Sequence, residues 1–458
     1  MHILLVSPYE LGRQPFSLAH PAALLRARGH SVTLADLTLG SMPWETLARF
    51  DLIGVTLGMH TATRIAISLL PKIRTAAPRS RLVCYGLYGP PNAETLKGHG
   101  VDHVLGPEFE TELLGLLTHP EGIKGGAQRV QFVTPDRAGL PALSRYAHLM
   151  LPDGGRKTVG FVEASRGCKY LCRHCPIVPV YQGRFRAIPQ DVVIADAAQQ
   201  IALGATHLSF GDPDFLNGPT HALRILKAVH KNWPTVTFDA TVKISHILAY
   251  EDLMPRLSEY GCLFLTSAAE SFDDTVLDFL DKGHTARDIA RAVHIVRTSG
   301  LAFTPTFVPF TPWTTLETYL ELLTRVRDLA LINSVTPIQL VIRLLVPAGS
   351  YLLQIPGFRE RLGEFSGEVL GYPWAHVDPR VDRLQEEAQR CVEKGEAEGQ
   401  GRFEIFSGLW SLVHKALERR PPTLTPGQAG PASPHLSEPW YCCAEPTAAQ
   451  LADCAVGS

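Results

Sequence analysis

The sequence predicts an α/β chain: two parallel-sheet domains in series, followed by a small helical extension and an irregular, mobile tail rich in cysteine. Three observations carry this. Short apolar runs alternate with helical patterns twice, over residues 1–118 and again from 157 to about 365, and alternation at that spacing builds parallel sheets with covering helices. Residues 119–155 hold Pro120, Gly122, Gly125, Gly126, Pro135, Pro141 and Pro152 with little periodicity, which reads as a linker. At 458 residues the chain is too long for one hydrophobic core. The expected domains are therefore 1–118, 156–365 and 366–458, with 119–155 between the first two.

Composition bounds the function. Lys and Arg number 43 against 45 Asp and Glu, so there is neither the basic footprint of a nucleic-acid binder nor an acidic tail. No run of roughly 18 apolar residues would span a membrane. Glu10, Gly12 and Arg13 interrupt the first apolar stretch, where a signal peptide would need continuity. The chain is expected to be cytoplasmic, with no nucleic-acid or membrane partner. In that compartment its nine cysteines are expected as thiols, and clustered thiols point to metal or catalysis.

In the front domain, strands are expected at 2–7, 31–36, 52–56, 81–85 and 101–105, with helices at 18–28 and 62–76. Ligands on such sheets sit beyond the carboxyl ends of the strands. The loops there, 7–12, 56–61 and 86–91, are short and glycine-bearing enough to let a flat cofactor approach. In the second domain, strands are expected at 158–162, 207–210, 235–240, 263–266, 302–308 and 339–345, and the helical extension at 380–398 and 404–417.

The most specific signal follows the first strand of the second domain: Glu163-Ala-Ser-Arg-Gly-Cys168-Lys-Tyr-Leu-Cys172-Arg-His-Cys175-Pro. Three cysteines at this spacing on one loop hold three corners of a metal cluster and leave the fourth open, and an iron without a protein ligand can bind a small molecule. Zinc would ask for four ligands, with His174 the only nearby candidate and badly placed between two of the cysteines. The spacing and its place after a strand resemble the radical S-adenosylmethionine (SAM) enzymes, whose 4Fe–4S cluster chelates SAM at the open iron. His174 stands where that family usually has an aromatic residue.

The resemblance implies more, position by position. It makes Cys168, Cys172 and Cys175 the cluster ligands and implies a reductant such as a flavodoxin or ferredoxin. Six strand–helix units resemble the family's partial (β/α)6 TIM-type barrel, with chemistry at the strand carboxyl ends. Asp212, in Phe210-Gly-Asp-Pro-Asp214, stands where the family receives the SAM ammonium, a role that suits a carboxylate, although Gly-Asp-Pro is also turn chemistry. Glu270-Ser271 matches an element that meets SAM, with helix capping as the other role open to Ser271. Arg343 lies in the sixth strand, before a Pro-x-Gly-Ser turn near which adenine is held. It either points at a carboxylate in the barrel or pairs structurally.

The front domain, with "GHSVTLADL" and "VDHVLGPEFETELLGLL", resembles the cobalamin-binding domain fused to many radical SAM enzymes. The Asp-x-His-x-x-Gly motif that supplies a lower imidazole is absent, so cobalamin is a candidate cofactor only without a protein histidine. The ending Trp440-Tyr-Cys442-Cys443-Ala-Glu-Pro446, with Cys454 behind it, resembles the CUAEP/CCAEP-tail subgroup, some of whose members carry selenocysteine at the place of Cys443. It also resembles enzymes that form hydroxyarsinothricin by moving the 3-amino-3-carboxypropyl group of SAM to trivalent arsenic. Thiolates suit a soft centre such as arsenite, which makes Cys442, Cys443 and Cys454 candidate catalytic residues. The expectation is a radical SAM transferase of that kind. A cobalamin-dependent radical SAM methyltransferase and a non-catalytic metalloid-binding protein are the alternatives.

Overall fold

The computed structural model describes residues 1–118 and 130–438. The front sheet is made of β1 (His2–Ser7), β2 (Ser31–Asp36), β3 (Leu52–Thr56), β4 (Arg81–Tyr85) and β5 (His103–Leu105), in the order β2-β1-β3-β4-β5. Every pairing is parallel. Helices α1 (Phe16–Arg26), α2 (His60–Ala76), α3 (Ala93–Gly98) and α4 (Glu110–Thr118) cover it.

The unbroken apolar runs have a physical reason. Leu4, Val6, Ile53 and Val55 pack with Ile65 and Leu69 of α2, while Ile3, Leu5 and Leu52 pack with Leu18 and Leu25 of α1 and Leu113 of α4. Successive strand side chains point to opposite faces, so a sheet covered on both sides needs apolar residues at every position.

The stretch read as linker contributes β6 (His148–Met150), antiparallel to β7 (Arg156–Val162). A short hairpin, β8 (Ser165–Gly167) with β9 (Phe185–Ala187), follows. The main strands are then β10 (His207–Phe210), β11 (Thr237–Thr241), β12 (Cys262–Glu270) and β13 (Ala302–Phe307), and β7, β10, β11, β12 and β13 pair in parallel. With β14 (His435–Leu436) on β6, the curled half-barrel sheet runs β13-β12-β11-β10-β7-β6-β14. The sixth unit, expected as a strand over 339–345, is a 3-10 turn at Pro337–Leu340 and a parallel bridge between Phe310 and Arg343. Two backbone hydrogen bonds, Phe310 to Ile342 and Leu344 to Phe310, are all the pairing that it makes among the described residues.

Helices α5 (Val178–Tyr181), α6 (Gln190–Ala202), α7 (Pro219–Asn232), α8 (Ile244–Ala249), α9 (Met254–Glu259), α10 (Asp274–Phe279), α11 (Ala286–Thr298) and α12 (Leu316–Asp328) intervene between and after the strands. The extension is α13 (Pro379–Ala397) and α14 (Arg402–Ala416), whose Leu384, Ala388, Phe406 and Leu409 join the barrel's outer core. Asp378 caps α13 by accepting from the Arg380 amide, with Pro379 at the first helical position, a start signal readable in the sequence.

The inner face of the sheet is different. In register, it carries Phe161, Ser209, Asp239 and Phe264 side by side, and Thr241, Thr266 and Thr304 two residues further on. Barrels of this kind usually fill that space with branched aliphatic side chains. Serine, threonine and aspartate here leave it open. Among the described residues no helix is long and apolar enough to cross a membrane.

Candidate active site

The β8–β9 hairpin holds the cysteine loop by its base. Gly167 makes this possible: its φ is +76°, and a Cβ there would lie 2.5 Å from the Arg184 carbonyl and from the Tyr181 ring. Cys172 is buried and Cys168 and Cys175 are half-buried. Lys243 Nζ, at the end of β11, lies 3.3 Å from Cys172 Sγ and 3.1 Å from the Lys282 carbonyl, over the Tyr170 ring. Cys168 Sγ is 3.9 Å from Asn217 Oδ1. Burial raises the Cys168 thiol pKa, and Asp214 adds to it, while the Tyr170 amide and Lys243 favour the thiolate.

Beside the loop, Glu270 ends β12 with φ +65°, a left-handed conformation that is costly for a residue with a Cβ. Its carboxylate accepts from His174 Nε2 at 3.0 Å and from Lys282 Nζ at 3.1 Å. Burial would raise its pKa, but Lys282 and His174 overcome this and hold it below the usual carboxylate range. Lys282 is pushed up in turn: burial lowers it, and Glu270 and Cys172 more than compensate. His174, the one residue that could have completed a zinc site, spends its Nε2 on Glu270.

Ser271 Oγ accepts from the Asp273 amide at 3.0 Å, and Asp273 accepts from the Thr275 amide to cap α10. Asp212 is buried, with Oδ2 accepting from the Ala164 amide at 2.9 Å and Oδ1 from Ser165 Oγ at 2.5 Å. Burial raises it to about 7, against the pull of those two bonds. Asp214 is fully buried, its Oδ2 2.7 Å from His246 Nδ1. Arg343 lies outside this group. It pairs with Asp382 of α13 at 2.7 Å, donates to the Trp374 carbonyl and stacks 3.6 Å over that ring. Of its two expected roles, the structural pairing is the one that these contacts match. Cys442, Cys443 and Cys454 lie outside the described residues.

A cavity of about 350 Å³ joins the two domains. From the front it is lined by Tyr9, Gly58, Gly86 and Tyr88, from all three loops singled out in the sequence, and from the barrel by Cys175, Phe161, Asp212 and Asp239. A sheet in the order 2-1-3-4-5 reverses direction between β1 and β3, and ligands settle at that switch point. At Gly58 an added Cβ would meet no atom within 4 Å, so the backbone there is open to a close approach.

The domains are pinned at this seam. Arg166, two residues before Cys168, pairs with Glu110 of the front domain and, at 3.2 Å, with Glu163, while His20 Nδ1 is 3.3 Å from the same Glu110. Arg186 of β9 pairs with Glu108. Burial would raise Glu110, but Arg166 and His20 hold it at about 2. Sequence reasoning did not single out Arg166, Asp239, Lys243 or the role of His174. Arg166 and His174 stood within the quoted motif, and Thr-Phe-Asp239-Ala-Thr-Val-Lys243 shows the same polar strand end that drew notice to Asp212.

The radical SAM superfamily model matches residues 162–326. This span is a radical SAM domain. The chain is also similar to OxsB, solved as a cobalamin-dependent SAM radical enzyme with aqua-cobalamin and SAM bound. The TM-score is 0.64 at 14% identity, over 86% of this chain and 67% of that one. TsrM from Kitasatospora setae, a radical SAM methyltransferase solved with tryptophan substrate and aza-SAM, gives 0.60 at 18% identity, over 77% and 75%. At such identities these likenesses show the fold. No curated protein sequence matches the chain.

A radical SAM domain uses a 4Fe–4S cluster and SAM, and the chain's residues fit both. Three thiols stand on one loop, with Lys243 Nζ 3.3 Å from Cys172 Sγ. Among the described residues no three His, Cys, Asp or Glu side chains gather around one point as a single metal ion would need. Cluster cysteines bind separate irons and need no such convergence. The cavity reaches Cys175, so one of the three thiols that would hold the cluster borders it.

Proposed function

We propose that the chain is a cobalamin-dependent radical SAM transferase, most simply a methyltransferase, working in the cavity between its domains. The observation that carries the reading is that one cavity is lined both by the switch-point loops of the front sheet and by the cysteine loop. The similarity to OxsB and TsrM, whose solved forms hold cobalamin, supports it. When bound, the reduced cluster supplies an electron that breaks a carbon–sulfur bond of SAM, the electron coming from a flavodoxin- or ferredoxin-type donor. Cobalamin would supply a carrier for the methyl group. The loops at Tyr9, Gly58 and Tyr88 would hold it without a protein imidazole, since the sequence lacks the Asp-x-His-x-x-Gly motif that supplies one.

Around SAM, Asp212 would take the ammonium. Its two oxygens accept from Ser165 Oγ and the Ala164 amide, which hold the carboxyl group in place. Glu270 and Ser271 would border SAM from β12. Lys243 and Lys282 keep positive charge beside the cluster sulfurs, where reduction adds negative charge.

A second reading, 3-amino-3-carboxypropyl transfer to trivalent arsenic, is favoured by a separate observation. Leu436 lines the cavity, and Tyr9 donates a hydrogen bond to Glu438. The described residues thus end, at Glu438, beside the cavity.

Anaerobic incubation of the reconstituted protein with SAM, a reductant and hydroxocobalamin, with and without arsenite, tests both. Methyl transfer yields S-adenosylhomocysteine, with 5′-deoxyadenosine where hydrogen abstraction accompanies it. Methylthioadenosine that appears only with arsenite supports the second reading. Release of no nucleoside contradicts both and leaves metalloid binding without catalysis.

A further inference from the structure

Deep in the cavity lies a polar group that neither the cluster loop nor the front domain uses. Asp239 of β11 lines the cavity and is 6% exposed. Its Oδ1 accepts from Ser209 Oγ at 2.7 Å and faces His207 Nε2 at 2.9 Å. The His207 ring is fixed from behind by Thr237 Oγ1, 2.8 Å from Nδ1, and lies parallel to Phe264 at 6.3 Å. Both of these partners meet the same oxygen. Oδ2 accepts no hydrogen bond from any described residue, on a side chain that borders open space.

An oriented carboxylate oxygen that faces a cavity can accept from a ligand's donor, and a charge-assisted hydrogen bond of that kind is stronger than a neutral one. Two residues that have no part in holding a cluster align Asp239, and Thr237 fixes the ring of one of them, which is the support expected of a recognition group. Its neighbours on the inner face, Phe161 and Phe264, line the same cavity, and Gly211 makes room for the Phe161 ring, since a Cβ there would sit 2.1 Å from it. The pairing of aromatic walls with one oriented acceptor selects an apolar body carrying an N–H donor.

We infer that Asp239, aligned by His207 and Ser209, binds the amine of a small, largely apolar organic substrate in the barrel. The inference rests on the reading of the cavity as the reaction chamber, and it names the substrate class. Neutral arsenite would supply neither the charge nor the apolar body.

The test uses the full chain with its cluster reconstituted, SAM present, and three matched probes: 2-phenylethylamine, 2-phenylethanol and phenylacetate. Titration calorimetry should show the amine binding more tightly than the other two. Asp239→Asn should weaken the amine roughly tenfold or more, as loss of a charged hydrogen bond does, and leave the alcohol nearly unchanged. Ser209→Ala, which keeps the carboxylate and loosens it, should weaken the amine by a smaller factor, and serves if Asp239→Asn does not fold. Equal binding of all three probes, no amine binding to the wild type, or unchanged amine affinity in the variants would overturn the inference. The response of the cluster's spectrum to SAM, recorded in the same samples, is separate. Its absence would sink the transferase reading and leave the comparison of the three probes standing.

Discussion

Glu270 shows how one residue can be held where its backbone would rather not be. A positive φ and a buried charge are both unfavourable, and His174 and Lys282 offset them by direct hydrogen bonds. Removing one member of such a buried pair leaves the other uncompensated, at a cost of about 3 kcal/mol or more. Lys282→Met should lower stability by that order in urea unfolding, and Lys282→Met with Glu270→Gln should recover most of it. If the double variant is no more stable than the single, the pair is not the reason. Glu110 gives a pH prediction. Its folded pKa, about 2, lies below the ordinary 4.5, so its contribution is present above pH 4.5 and lost as pH falls towards 2. Glu110→Gln should flatten the fall in unfolding free energy between pH 5 and 3 relative to wild type, and equal slopes would contradict the Arg166–Glu110–His20 arrangement.

At the scale of elements, the strand ends decide what the cavity can be. Gly211 follows β10 directly under the Phe161 ring, and overpacking of this kind typically costs about 1–3 kcal/mol. Gly211→Ala should destabilise by that amount in urea and turn Phe161 into the cavity, weakening any ligand there. An unchanged stability would mean that the ring moves freely. The front strands were legible because burial on both faces leaves a plain apolar run, and β1 to β4 fall where expected. The sixth barrel unit was not. Residues 339–345 are apolar for a different reason: Ile342 and Leu344 pack with Val276 and Phe358 rather than within a ladder. Short strands such as β6 and β14 left no periodic trace, being three and two residues long. Among site residues, the cysteine motif was readable from spacing alone. Asp239 and Lys243 become evident only when register sets β11 beside Ser209 and the loop beside Cys172.

Across the whole molecule, two sheets turn their carboxyl ends toward one another, and the ion pairs at Glu108 and Glu110 fix the cysteine loop to the front domain. Replacing Cys442, Cys443 and Cys454 by serine should leave cluster content and S-adenosylhomocysteine formation as in wild type, and should abolish only methylthioadenosine formed with arsenite. Loss of the cluster in that variant, measured as iron and sulfide per chain, would show that the tail thiols serve the cluster instead. The central claim is that Cys168, Cys172 and Cys175 hold a cluster with one iron open to SAM. Electron paramagnetic resonance of the anaerobically reduced protein tests it most directly. The account predicts a 4Fe–4S signal whose shape changes when SAM is added and which disappears in Cys172→Ala. A signal that ignores SAM, or one that survives that substitution, would contradict it.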